Sequence, residues 1–209
     1  MQELIAGYRR FRSGRWRREQ DTLAALAREG QHPHTLAIAC CDSRVAPEMI
    51  FDVSPGEVFT IRNIANLVPP YAPDAAHHST SAAIEFAVRV LKVKRIAVIG
   101  HSQCGGVAAL LGGVPPEASD FLAHWVEIAE PARIAACAHH PHDQAAARRD
   151  GEIETVRVSL ANLRGFPFVA AAEAAGRLAV LGFYFAVESG LLSQVLPDLV
   201  APLAEEAAA

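Results

Sequence analysis

Residues 95–106 read RIAVIGHSQCGG. Arg95 to Ile99 is a short apolar run that suits a buried strand, and it delivers His101 and Cys104 at the turn that follows. Residues 35–45, TLAIACCDSRV, repeat the arrangement: an apolar run from Thr35 to Ala39, then Cys40, Asp42 and Arg44. A third run, Glu57 to Arg62, is also rich in β-formers. Between the runs a short helix is expected near Pro47 to Phe51. A longer one is expected near Ser81 to Leu91, with Ser79, Thr80 and Ser81 available as caps. Strand–helix–strand–helix–strand is the pattern of a parallel sheet with right-handed crossovers. In such a sheet, sites form beyond the carboxyl ends of the strands, where the strand order reverses. For the segments at 40–44 and 101–104 to share one site, the first and third strands must be neighbours. The expected fold is therefore α/β, with a central, mostly parallel sheet of order 2-1-3-4 and flanking helices. Its fourth strand is Leu178 to Phe185, followed by a turn at Glu188-Ser189-Gly190.

Outward from this core, residues 15–29 read as an amphipathic helix closed by Gly30. Residues 1–30 are expected to form a helical arm used in contacts between two copies of the chain. After Gly105 the chain reads mostly helical as far as about Asn162, with breaks at Gly112 to Pro116 and Ala138 to Pro141. No linker divides it, so residues 1–209 are expected to form one domain, ending in an Ala-rich tail at 205–209. A formal net charge of −4 argues against a general nucleic-acid binder. The basic N-terminus (Arg9, Arg10, Arg12, Arg15, Arg17, Arg18) leads into no apolar stretch, so no export signal is expected and its arginines read as a solvated face or subunit contact. The longest apolar run, Leu178 to Val187, is half what a bilayer crossing requires. A cytoplasmic location follows as the expectation. In that reducing setting, cysteines act more often as metal ligands or reactive thiols than as disulfide partners.

Alternate side chains of an extended segment share a face, so Cys40 and Asp42 point one way and Cys41 the other. His101 and Cys104, three apart at a strand-to-helix turn, can converge on the same ion. Two thiolates, an imidazole and a carboxylate suit zinc. Cys104 opens a helix, whose free N–H groups favour its thiolate, and Gly105 and Gly106 allow close backbone approach. A closed four-ligand zinc that only staples the fold is one reading. In the other, Asp42 leaves the metal to pair with Arg44 and so opens a position for chemistry. Cys41 and Cys137 read as buried small hydrophobes. His139, His140, His142 and Asp143 read as an exposed loop, His77 and His78 as a solvated helix lead-in, and Glu85 with Arg89 as a helix pair.

Cys-x-Asp-x-Arg at 40–44 and His-x-x-Cys at 101–104 together resemble the β-class carbonic anhydrases. So do residues 55–70 (PGEVFTIRNIANLVPP), 155–169 (TVRVSLANLRGFPFV) and 178–190 (LAVLGFYFAVESG). The resemblance implies reversible hydration of carbon dioxide to bicarbonate and a proton by zinc-bound hydroxide, with one zinc per chain, in a homodimer or a multiple of dimers. It assigns Cys40, His101 and Cys104 as permanent ligands, Asp42 as a ligand in the closed state only, and Asp42 with Arg44 as the catalytic pair. Gln31 matches the pocket glutamine of the plant-like subgroup. Phe59 and Ile64 match its apolar wall, and Phe86 stands where tyrosine is frequent. These residues, with Gly105, are the expected substrate-facing positions. Ala37 replaces the tryptophan of a subgroup with a bicarbonate regulatory pocket. Two other functions share the zinc scaffold: a hydrolase of carbon disulfide or carbonyl sulfide, and a non-catalytic zinc module.

Overall fold

The structure, a computed structural model, describes residues 1–203, so the tail at 205–209 lies outside the described residues. The chain opens with helices α1 (Gln2–Ser13) and α2 (Arg15–Glu29), hinged at Gly14, and neither contributes a buried residue. Strand β1 (Thr35–Cys40), helix α3 (Pro47–Ile50), strand β2 (Val58–Asn63), helix α4 (Ser79–Glu85) and strand β3 (Arg95–His101) follow. Helices α5 (Gly105–Gly112), α6 (Leu122–Val126), α7 (Glu130–His139), α8 (Gln144–Arg164) and α9 (Pro167–Ala174) lead to strands β4 (Ala179–Phe185), β5 (Leu192–Val195) and β6 (Val200–Pro202).

The sheet order is β2-β1-β3-β4-β5-β6, parallel through β4 and antiparallel beyond it. The expected 2-1-3-4 core is therefore present, extended by two antiparallel strands too short to show a period-two pattern. β1 and β3 are buried almost throughout, as strands covered on both faces must be. One face presents Leu36, Ile38, Ile96 and Val98 to Val156, Leu160 and Leu163 of α8. The other presents the smaller Ala37, Ala39 and Ala97 with Ile99. Helix α8 can lie close because Gly100 carries no side chain: a Cβ there would meet Val156 Cγ2 at 2.5 Å.

Three local expectations are corrected. The helix after His78 begins at Ser79 with no side-chain cap, and continues as a π-helical turn, Phe86–Leu91, stopped by Lys92 at φ 57°. Cys41 is exposed, because β1 ends at Cys40 and the next residue already lies in a loop. Cys137 is exposed as well, since α7 turns Ala132 and Ala136 inward instead. Helix α9, which the sequence reading passed over, starts at Pro167 in the favoured first-turn position.

Candidate metal centre

β1 and β3 pair side by side up to Ala39 and Ile99, so Cys40 and His101 stand at neighbouring carboxyl ends. Past β3 the chain turns through Gln103, at φ 60°, and sets Cys104 as the residue before α5. The donor atoms of Cys40, His101 and Cys104 lie within 4.8 Å of one another, and all three residues are buried. The sulfurs are 4.0 Å apart. Two thiolates on one tetrahedral zinc, each at about 2.3 Å, would sit about 3.8 Å apart, so this spacing already suits the ion. His101 Nδ1 donates to the Ser102 carbonyl at 2.8 Å, which leaves the Nε2 lone pair facing inward. That Nε2 is buried and has no hydrogen-bond partner among the described residues. A buried, unpaired nitrogen beside two thiols is costly unless a cation takes its lone pair, and zinc fits.

Backbone amides act on both sulfurs. Cys40 is held well below the ordinary thiol range by the Cys104 hydrogen bond, against the effect of burial, with help from His101 and the N–H groups of Asp42 and Ala65. Cys104 is pushed up by sharing its proton with Cys40 and by burial, while the N–H groups of Val107 and Gly106 pull the other way. Ala65 can reach Cys40 only because the Ile64–Asn66 turn is strained: Ala65 has φ 60° and Asn66 φ 49°. Three bonds hold that turn. Asn63 Oδ1 accepts the Leu67 N–H at 2.9 Å, Trp125 Nε1 donates to the Ile64 carbonyl at 2.8 Å, and Ser159 Oγ donates to the Asn66 carbonyl at 3.0 Å. Gly106 completes the fit, since a Cβ there would meet Ile64 Cγ2 at 2.6 Å and Ala65 Cβ at 2.9 Å. Gly105 has no such neighbour and opens onto free space.

Asp42 stands outside the three-residue group. Its Oδ1 accepts the Arg44 Nε–H at 2.9 Å and the Arg44 N–H at 3.0 Å, and its Oδ2 accepts Arg44 Nη2–H at 2.7 Å. This fork holds the Asp42 carboxyl well below the usual carboxylate range. Arg44 Nη2 also donates to the Gln103 carbonyl at 3.2 Å, tying the loop after β1 to the loop after β3.

Of the expected pocket residues, Ile64 lies at the centre. It lines an apolar cleft of about 590 Å³ together with Cys41, Asn63, Thr80, Leu122 and Trp125. Phe59 and Phe86 lie elsewhere, with ring centroids 5.9 Å apart. Phe59 pairs with Leu36, four residues before the Cys40–Asn63 pair, which is roughly 13 Å along the strand. Gln31 precedes β1 altogether. A single chain does not bring Gln31, Phe59 or Phe86 to its own metal group.

The sequence reading missed several residues that build this site. Arg62 donates from Nε to the Cys40 carbonyl at 2.9 Å and from Nη2 to the Asp42 carbonyl at 2.6 Å, clamping the ligand loop. Glu188 accepts from Ser102 Oγ at 3.0 Å and Gln103 Nε2 at 2.9 Å, and so braces the second loop. Glu152 is 3% exposed and accepts the Cys104 N–H at 3.1 Å. One signal could have found it: it is a charged residue on the helical stripe of Val156, Leu160 and Leu163.

A family model described as carbonic anhydrase matches residues 35–192. A carbonic anhydrase of Pseudomonas aeruginosa is 40% identical over 191 residues, covering 91% of this chain and 85% of the relative. The solved structure of the β-carbonic anhydrase CcaA superposes with a TM-score of 0.89 at 31% identity, covering 99% of this chain and 92% of the other. A tetrameric β-carbonic anhydrase of Sordaria macrospora superposes at 0.81 and 28% identity, covering 93% and 95%. Among the described residues, no helix is long and apolar enough to cross a membrane.

Proposed function

The chain belongs to the β-carbonic anhydrase family, and on that premise we propose that it hydrates carbon dioxide at Cys40, His101 and Cys104, with Asp42 and Arg44 as the catalytic pair. A zinc ion held there supplies the Lewis acidity that makes a nucleophile from water near neutral pH. The observation that carries the reading is the Asp42–Arg44 fork beside the three-ligand group. A structural zinc has no use for a carboxylate held back by a guanidinium. Asp42, ionised and fixed, accepts a hydrogen bond and so orients the attacking group. Ile64 and the cleft around it give a nonpolar substrate an apolar approach. Stopped-flow hydration of carbon dioxide by zinc-loaded protein tests this, with carbon disulfide run beside it. Turnover of carbon disulfide alone would overturn the reading in favour of the related hydrolase.

The pH profile follows from the donor set. Cys40 and Cys104 would cancel the formal charge of a zinc ion held there, so water would be acidified less than beside three histidines. Asp42 plays no part in that profile. Its pKa is depressed, so its contribution is present above the usual carboxylate range and is lost only as pH falls through its lower folded value. Between pH 6 and 9 its charge is constant. Activity is expected to rise with pH, with a midpoint above 7, and a flat profile across that interval would contradict the argument.

Gln31, Phe59 and Phe86 join the reading through a second copy. β2 is an edge of the sheet, Phe86 is 43% exposed, and the arm leaves Leu4 and Tyr8 at 78% and 61% exposed. Among the described residues, each of these surfaces lacks cover within its own chain. Two chains exchanging arms would place the Phe59–Phe86 pair and Gln31 of one beside the cleft of the other, consistent with a family that includes a tetrameric member. Mixing an Arg44→Ala chain with a Gln31→Ala/Phe59→Ala chain should restore about a quarter of wild-type activity, since half the dimers are mixed and each holds one intact site. No restoration after subunit exchange would show that the site belongs to one chain.

A further inference from the structure

We propose that Glu152 is a positioning residue of the metal centre: its carboxylate fixes the Cys104 peptide and thereby sets how firmly Cys104 holds the metal. The proposal rests on reading Cys40, His101 and Cys104 as the zinc group. Glu152 occupies a core position of α8 where an apolar side chain would pack at no electrostatic cost. Both of its oxygens are engaged. Oε1 accepts the Cys104 N–H at 3.1 Å, and Oε2 accepts the Tyr184 hydroxyl at 2.9 Å. Arg148, one turn earlier on α8, brings its Nε to 3.5 Å from Oε1. A groove of about 860 Å³ runs behind the centre, lined among others by Ser102, Gln103, Arg148, Tyr184 and Glu188. Glu152 lines this groove too and stands between it and the metal ligand.

The Cys104 amide is where that carboxylate matters. Cys104 precedes α5, so its N–H has no carbonyl in the helix to meet, and Glu152 supplies the acceptor. The orientation of this residue also aims Sγ at the N–H groups of Gly106 and Val107 and holds it 4.0 Å from Cys40 Sγ. A peptide free to rotate would lose both relations at once. Tyr184, with Arg148 nearby, holds the carboxylate where Oε1 meets the amide. Glu152 therefore acts on metal retention through Cys104 and touches no reacting atom.

The test measures zinc release from the zinc-loaded, assembled protein to a chromogenic chelator, with the thiolate charge-transfer band of the cobalt-substituted protein as a second readout. Glu152→Ala leaves the Cys104 N–H buried and unpaired, and release should accelerate by ~10- to 100-fold, as for other outer-sphere partners of metal ligands. Glu152→Gln keeps an acceptor at Oε1, so release should stay within roughly 3-fold of wild type and the cobalt band should not move. Tyr184→Phe, nearly isosteric, should give a smaller acceleration in the same direction, and it serves as the deciding variant if Glu152→Ala fails to fold. Wild-type release from Glu152→Ala overturns the proposal, as does Gln behaving like Ala or, where Ala does not fold, an unchanged Tyr184→Phe. A wild-type chain that retains no zinc would instead overturn the reading of the metal group itself.

Discussion

Arg44→Ala is expected to lower carbon dioxide turnover by about 100-fold or more while one zinc per chain stays bound, in line with the loss of a preorganised polar group at a reacting centre. Three hydrogen bonds hold Asp42 off the metal group, and two of them come from the guanidinium. Without it, only the Arg44 backbone N–H remains. A carboxylate two residues from Cys40, freed from the guanidinium, would be able to serve as a fourth ligand to a zinc held there and so close the position the chemistry requires. The same substitution cuts the bond to the Gln103 carbonyl, which loosens the two ligand loops from each other. Arg44→Lys should rescue only in part, because an ammonium is a point charge and cannot form the fork. Stopped-flow hydration with zinc content measured on the same sample decides the matter. Near wild-type turnover with zinc bound would remove Asp42 from the role of gate.

His101→Ala should abolish zinc retention. Losing an outer-sphere partner costs ~10- to 100-fold in metal affinity, so losing a direct ligand must cost more than roughly 100-fold. The two remaining sulfurs, 4.0 Å apart, offer only half of a tetrahedral set. The thermal stabilisation that zinc gives the folded chain, which grows with ligand concentration over dissociation constant, should shrink accordingly. Chelator competition and the melting temperature with and without added zinc measure the two effects. A His101→Ala chain that keeps stoichiometric zinc against a chelator would show that Nε2 is not a ligand atom, and that its burial without a partner has another cause.

The β1–β3 register shows how much was legible beforehand. The apolar runs Thr35 to Ala39 and Arg95 to Ile99, each leading into a motif, had to be neighbouring strands if the motifs were to meet, and they pair directly. Alternation separated Cys40 from Cys41, although it said nothing of Cys41's exposure, because the pattern ends where the strand does. Arg62 and Glu188 escaped notice for a different reason. Each acts on backbone carbonyls or polar groups of a loop remote in sequence, and such partners leave no periodicity behind. β5 and β6 were missed because four and three residues cannot display a period.

Sequence alone was enough for the fold class, the strand order around the site and the residues that are candidates to hold a metal. Those depend on side-chain chemistry and on hydrophobic patterning, both of which are written residue by residue. Tertiary structure alone decided that Asp42 sits on Arg44, that Ala65 and Gly106 aim their amides at sulfur, and that Glu152 lies behind Cys104. It also decided that Phe59, packed against Phe86, stands roughly 13 Å along the strand from the ligands of its own chain. These facts turn on directions and distances between segments far apart in the chain, which packing sets and composition does not.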